Sequence, residues 1–84
     1  MYVHIVSTCE FSDGEYLDAK VRGILKNDYT DAIAYLAQWD AGRDSEFLSA
    51  LTLDIERCRG DRRYDDGEYV LIEHPLYLSL YRKL

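Results

Sequence analysis

The stretch SDGEYLDAKVRGIL, residues 12–25, decides the fold, because its apolar residues fit two periods. Asp13-Gly14 is a strong turn signal: glycine supplies the positive φ that a tight hairpin demands. After it, Leu17, Ala19 and Val21 alternate with Asp18, Lys20 and Arg22, which is a strand with one buried and one solvated face. Leu17, Val21, Ile24 and Leu25 also follow the 3.6-residue period of a helix. The preceding Asp-Gly and the internal Gly23 favour the strand, so the expectation is a hairpin.

Its partner strand is residues 2–11. There Val3 and Ile5 point one way and Tyr2, His4 and Val6 the other, in a run rich in β-branched and aromatic residues. The tetrapeptide DGEY recurs at 66–69, again just before a strand pattern, EYVLIE at 68–73. Turn geometry explains the recurrence without chemistry, and it predicts positive φ at both Gly14 and Gly67. His74-Pro75 interrupts the second strand, since proline cannot donate to a ladder. Leu76, Leu78 and Leu80 then alternate with Tyr77, Ser79 and Tyr81 in a final strand.

Between these pairs the chain reads as helix. Asp28 is a good N-cap, with Asp31 in the first turn. Ala32, Ile33, Leu36, Ala37 and Trp39 form an apolar stripe that places Trp39 at the buried end, and Gly42 is the stop. Residues 45–59 carry both a helical stripe (Leu48, Leu51, Ile55, Cys58) and an alternating one (Leu51, Leu53, Ile55); their length and Gly60 favour helix. The result is one α+β domain spanning residues 1–84. It is a small antiparallel sheet of about four strands with one main helix, 28–41, packed on one face. Its order is β-β-α-(α or β)-β-β.

Charge is unevenly placed. Residues 1–56 carry a net −7, residues 57–63 a net +3 and residues 64–84 a net −2. So acidic a chain lacks the basic footprint that phosphate binding needs, which excludes direct nucleic-acid binding and points to a protein partner with a basic surface. The two cysteines, Cys9 and Cys58, form no CxxC pair and are too few for a disulfide framework. Reduced thiols acting as small hydrophobes, in a cytoplasmic protein, are the expectation. No N-terminal leader pattern and no membrane-length apolar run occurs, so no membrane is expected.

Reactive constellations fail on spacing. His4, His74 and Cys9 are too scattered for a zinc site unless their strands neighbour, and the glycine a calcium loop needs falls at Asp66. Cys9 and His4 on one strand would point to opposite faces. Asp65-Asp66 reads as a solvated turn. No nucleophile elbow, phosphate loop or dinucleotide fingerprint appears, so neither enzyme activity nor a cofactor or metal is expected. Arg57, Arg59, Arg62 and Arg63 form the one basic patch, expected to pair with neighbouring Asp54, Glu56, Asp61, Asp65 and Asp66.

A small, acidic, tyrosine-rich domain with the segments Trp39-Asp40-Ala41-Gly42 and DDGEYVLIEHPLYLSLYR (65–82) resembles, in general character, the small inhibitor proteins of phages and mobile elements, anti-CRISPR proteins among them. The resemblance implies a protein that presents carboxylates where a nucleic-acid-binding complex expects phosphates. The expected function is therefore non-enzymatic occlusion of a basic, nucleic-acid-binding partner. A structural adaptor or homodimeric module is the alternative, and the chain itself is a monomer or a homodimer. The expected binding surface gathers Asp28, Asp31, Asp40, Asp44, Asp65, Asp66 and Glu68, with Tyr64 and Tyr69 as aromatic anchors.

Overall fold

In the computed structural model, which describes residues 2–40, 52–53 and 62–84, the stretch after Asp13 is a helix. The first strand, β1 (Tyr2–Ser7), leads through a 3-10 turn (Thr8–Glu10) to α1 (Gly14–Leu25) and α2 (Tyr29–Ala37). Four strands follow among the described residues: β2 (Thr52–Leu53), β3 (Arg62–Asp65), β4 (Tyr69–Glu73) and β5 (Leu78–Lys83). The expected second strand is thus replaced by α1. Leu17 and Val21 are buried, as both periods require, but Ala19 is exposed and Ile24 packs against the core, as only the helix allows. Asp18 and Arg22 also meet at 2.6 Å. Residues i and i+4 are neighbours on a helix but about 13 Å apart along a strand.

The two DGEY copies therefore differ in structure. Gly14 begins α1 and does not have the expected positive φ; among the described residues Gly67, at φ 99°, is the one that does. Gly14 is required for another reason: a Cβ there would lie 2.1 Å from the Thr8 carbonyl oxygen. The second copy is a true turn. Asp66 N–H donates to the Tyr69 carbonyl at 3.1 Å, and Asp66 Oδ1 accepts from the N–H groups of Glu68 and Tyr69. Gly67→Val should cost about 1–2 kcal/mol, the strain of a left-handed conformation on a residue with a Cβ. Urea unfolding checks this, and an unchanged midpoint would refute it.

The sheet is antiparallel throughout, in the order β2-β1-β5-β4-β3, with a register shift in β1 between His4 and Val6. The α+β class holds, with two helices rather than one main helix. They bury Leu17, Val21, Ala32, Ile33 and Leu36 against Val3, Ile5, Val6, Leu71, Leu78 and Leu80. Val70, Ile72 and Tyr81 form a second buried cluster, with Tyr2 against it. Val70, Leu71 and Ile72 are all buried in succession, the signature of a strand covered on both faces.

Three further expectations are corrected. Asp28 does cap α2, but the helix ends at Ala37 and tightens into a 3-10 turn at Gln38–Asp40. That tightening takes Trp39 off the buried stripe; it is 43% exposed, with its ring 4.9 Å from Phe11. Leu76 does not open the last strand, which starts at Leu78; it sits in the loop, 88% exposed. Of residues 45–59, Thr52 and Leu53 are strand, paired with Val3 and Tyr2, and the rest lie outside the described residues.

Candidate functional site

A polar chain built from both helix and sheet organises one end of the molecule. Thr8, buried at the end of β1, donates its hydroxyl to Asp18 Oδ1 (3.0 Å) and accepts from the Leu78 N–H (3.0 Å). It thereby ties β1, α1 and β5 together. Asp18 Oδ2 accepts from Arg22 Nε at 2.6 Å. The guanidinium of Arg22 continues to Glu73 Oε2 (3.1 Å) and to the carbonyls of His74 (2.7 Å) and Tyr77 (3.2 Å). Glu73 Oε1 in turn accepts from the Tyr64 hydroxyl. Arginine suits this place because its planar fork presents five donors in fixed directions. The β4–β5 loop is held by this clamp, and its His74 ring stacks on Tyr77 at 4.2 Å.

Above that chain lies a cleft of about 630 Å³. The turn after β1 (Cys9, Phe11, Ser12), the first turn of α1 (Asp13, Glu15, Tyr16) and the β4–β5 loop (Leu76, Tyr77) form its walls. Tyr16 is 71% exposed at the rim, and Phe11 carries Trp39 on its ring. Asp13, Glu15 and Asp18 line it; among its described lining residues there is no lysine or arginine. The arrangement offers apolar and aromatic contact beside the exposed carboxylates of Asp13 and Glu15, Asp18 being paired with Arg22. Cys9 is exposed, against the expectation of a buried thiol, and contacts Ser7 Oγ at 3.0 Å. Its thiol has a hydroxyl beside it. Among the described residues no cluster of His, Cys, Asp and Glu could hold a metal ion. None of the described helices is long and apolar enough to cross a membrane.

The residues expected to form the acidic surface are distributed differently. Asp28 accepts from the Thr30 hydroxyl (2.6 Å) and N–H (2.9 Å), which hold its carboxyl below the usual range. Asp31 is exposed on α2. Asp65 pairs with Lys83 at 2.7 Å and accepts from the Gly67 N–H. The Lys83 contact, then that N–H, lowers the Asp65 pKa, and Asp65 in return raises that of Lys83. The carboxylates of Asp65 and Asp66 thus stabilise the turn; it is not simply solvated, and reversing their charge would damage the hairpin. Glu68 is exposed beside them. Tyr64 stacks on Tyr29 at 5.9 Å, which brings the start of α2 against β3, while Tyr69 packs on the core. Asp40 closes the 3-10 turn after α2, and Asp44 lies outside the described residues. Of the arginine cluster, Arg57 and Arg59 lie outside them too. Arg63 reaches the Tyr2 hydroxyl at 2.9 Å.

Sequence reasoning missed the cleft because a strand over 15–26 leaves no helix end to form its wall. The signal that could have found it was Asp18 four residues before Arg22, an ion-pair spacing that a helix alone exploits. Comparison with protein-family models, with curated proteins and with solved structures finds no match.

Proposed function

We propose that this chain is a non-enzymatic binding protein that covers a basic surface on a nucleic-acid-binding protein, and that the cleft at the start of α1 makes the contact. The observation that carries this reading is the grouping of Tyr16, Leu76 and Trp39-bearing Phe11 around a cleft lined by Asp13, Glu15 and Asp18. Exposed apolar side chains are ordinary one by one; grouped at a concave site they act as interface anchors. The flanking carboxylates favour a basic partner and speed its approach. The general likeness to small phage and mobile-element inhibitors, anti-CRISPR proteins among them, supports occlusion as the outcome of binding.

The test compares the native chain with a Glu15→Lys/Leu76→Ser variant, both positions being exposed. Each is immobilised and exposed to a host-cell lysate, and the retained proteins are titrated at two salt concentrations. The native chain should retain a basic nucleic-acid-binding protein, more weakly at high salt. The variant should bind it about tenfold or more weakly, the loss expected of an interface anchor. An Asp31→Lys/Glu68→Lys variant samples the acidic surface read from the sequence. If that variant loses binding while the cleft variant keeps it, the contact lies there instead.

A further inference from the structure

The two helices begin on the same residue type and use it differently. Asp28, at the N-cap of α2, accepts from the Thr30 N–H, whereas Asp13, at the N-cap of α1, makes no capping bond with its side chain. A capping carboxylate contributes about 1 kcal/mol to a helix, which α1 forgoes. Asp13 lines the cleft instead, with Glu15 two residues on, and both are exposed. Among the described residues neither carboxylate has a hydrogen bond or an ion pair. Asp18, deeper in the chain of polar contacts, is already held by Thr8 and Arg22. The Tyr16 ring, exposed beside them, carries no other ring and no cation among the described residues. Across the cleft, Leu76 is fixed in place, because Arg22 binds the carbonyls of His74 and Tyr77 on either side of it. That wall stands before anything binds, so no ordering of the loop opposes binding.

We propose that the cleft receives an arginine side chain of the partner and selects it over lysine, an inference that rests on reading the cleft as the contact with a basic protein. The guanidinium is taken by the carboxylates of Asp13 and Glu15 and by the face of Tyr16, and the aliphatic stem by Leu76 and Phe11. Charge alone would favour any cation. Three features of the cleft favour arginine. Two separate carboxylates suit a planar fork of five donors better than a single ammonium. An exposed aromatic face beside them lets the guanidinium plane stack while its edge still donates. Apolar walls penalise a group that holds its water tightly, and a guanidinium is more weakly hydrated than an ammonium. The cleft, at about 630 Å³, is large enough for a long side chain and the backbone that carries it.

Three blocked pentapeptides, Gly-Leu-Xaa-Leu-Gly, test the proposal, with arginine, lysine or citrulline at the centre; citrulline keeps the arginine shape without its charge. Titration into the isotope-labelled chain, followed by amide NMR, reads affinity and place together. The arginine peptide should shift the amides of residues 9–16 and 76–77. It should bind about threefold or more tighter than the lysine peptide and about tenfold or more tighter than the citrulline peptide. Asp13→Asn/Glu15→Gln removes both charges at exposed positions and should abolish the preference for arginine over citrulline, with a native circular dichroism spectrum. Tyr16→Leu keeps an apolar side chain without an aromatic face and should bring arginine down to the lysine affinity. Asp31→Asn, exposed on α2 and outside the cleft, should behave as the native chain. Equal binding of the arginine and lysine peptides would overturn the proposal. So would shifts confined to other residues, no binding at millimolar concentration, or an arginine preference that survives in the folded Asp13→Asn/Glu15→Gln protein. The two readings fail separately. A chain that retains a basic protein through the cleft without preferring arginine loses only the selection. A chain that prefers the arginine peptide at the cleft but retains no basic protein loses the proposed function and keeps the site.

Discussion

Gly14→Ala is expected to destabilise the protein by about 2–4 kcal/mol, enough to leave a small domain partly unfolded at room temperature. The added Cβ would fall 2.1 Å from the Thr8 carbonyl oxygen and 3.2 Å from its carbonyl carbon, and both are backbone atoms. No side-chain rotation relieves such a contact; α1 or the 3-10 turn after β1 must move. Either movement pulls on Thr8, whose hydroxyl holds Asp18 and the start of β5. Gly23→Ala provides the opposite sign. It lies in the same helix, exposed, with nothing within 4 Å of its missing Cβ. That change should stabilise by about 0.5–1 kcal/mol, through helix propensity and the entropy of the unfolded chain. Urea denaturation of the two variants checks both signs. A Gly14→Ala protein as stable as the native one would mean that the helix start and the turn do not pack as described.

Arg22→Ala should cost about 2–4 kcal/mol. The side chain is 25% exposed, so the figure lies below that of a fully buried ion pair. Its loss removes the partner of Asp18, a partner of Glu73 and the donor to two loop carbonyls at once. The carboxylates of Asp18 and Glu73 would then lose the cation they share. Arg22→Lys should recover only a fraction, since a single ammonium cannot reach a carboxylate on its own helix, another on β4 and the loop carbonyls together. Hydrogen exchange locates the effect: the amides of residues 74 and 76–78 should lose protection first in Arg22→Ala. Uniform loss of protection across the sheet would show instead that Arg22 contributes only to global stability.

The parts of the fold that were legible in the sequence rest on local signals. Asp28 caps α2 because its carboxylate reaches the Thr30 N–H two residues on, a contact that residue type and spacing alone imply. The 66–69 turn followed from Asp-Gly, and the break at His74-Pro75 from the chemistry of proline. The strands read at 68–73 and 76–81 followed from β-branched and alternating residues; the structure places them at Tyr69–Glu73 and Leu78–Lys83, Leu76 having been drawn in by an alternation that begins before the strand does.

The candidate site was less legible, because its members are far apart in the chain. Thr8, Asp18, Arg22 and Glu73 are individually unremarkable, and only packing α1 on the sheet makes them neighbours. The acids read as a binding surface illustrate the same point. Asp28, Asp65 and Asp66 were counted among them, but in the folded chain their carboxylates satisfy backbone N–H groups, a threonine hydroxyl and Lys83.

By itself the sequence determined the α+β class, the capped second helix, the final hairpin and the excess of negative charge. These depend on period, turn chemistry and composition, which act within a few residues of one another. Tertiary structure decided whether residues 14–25 were strand or helix, and with it the site. Leu17 and Val21 satisfy both periods, so the choice rested on Ala19 leaving the core, Ile24 entering it and Gly14 meeting the Thr8 carbonyl. Each of those is a contact between segments distant in the chain, and its energy exists only once both segments are in place.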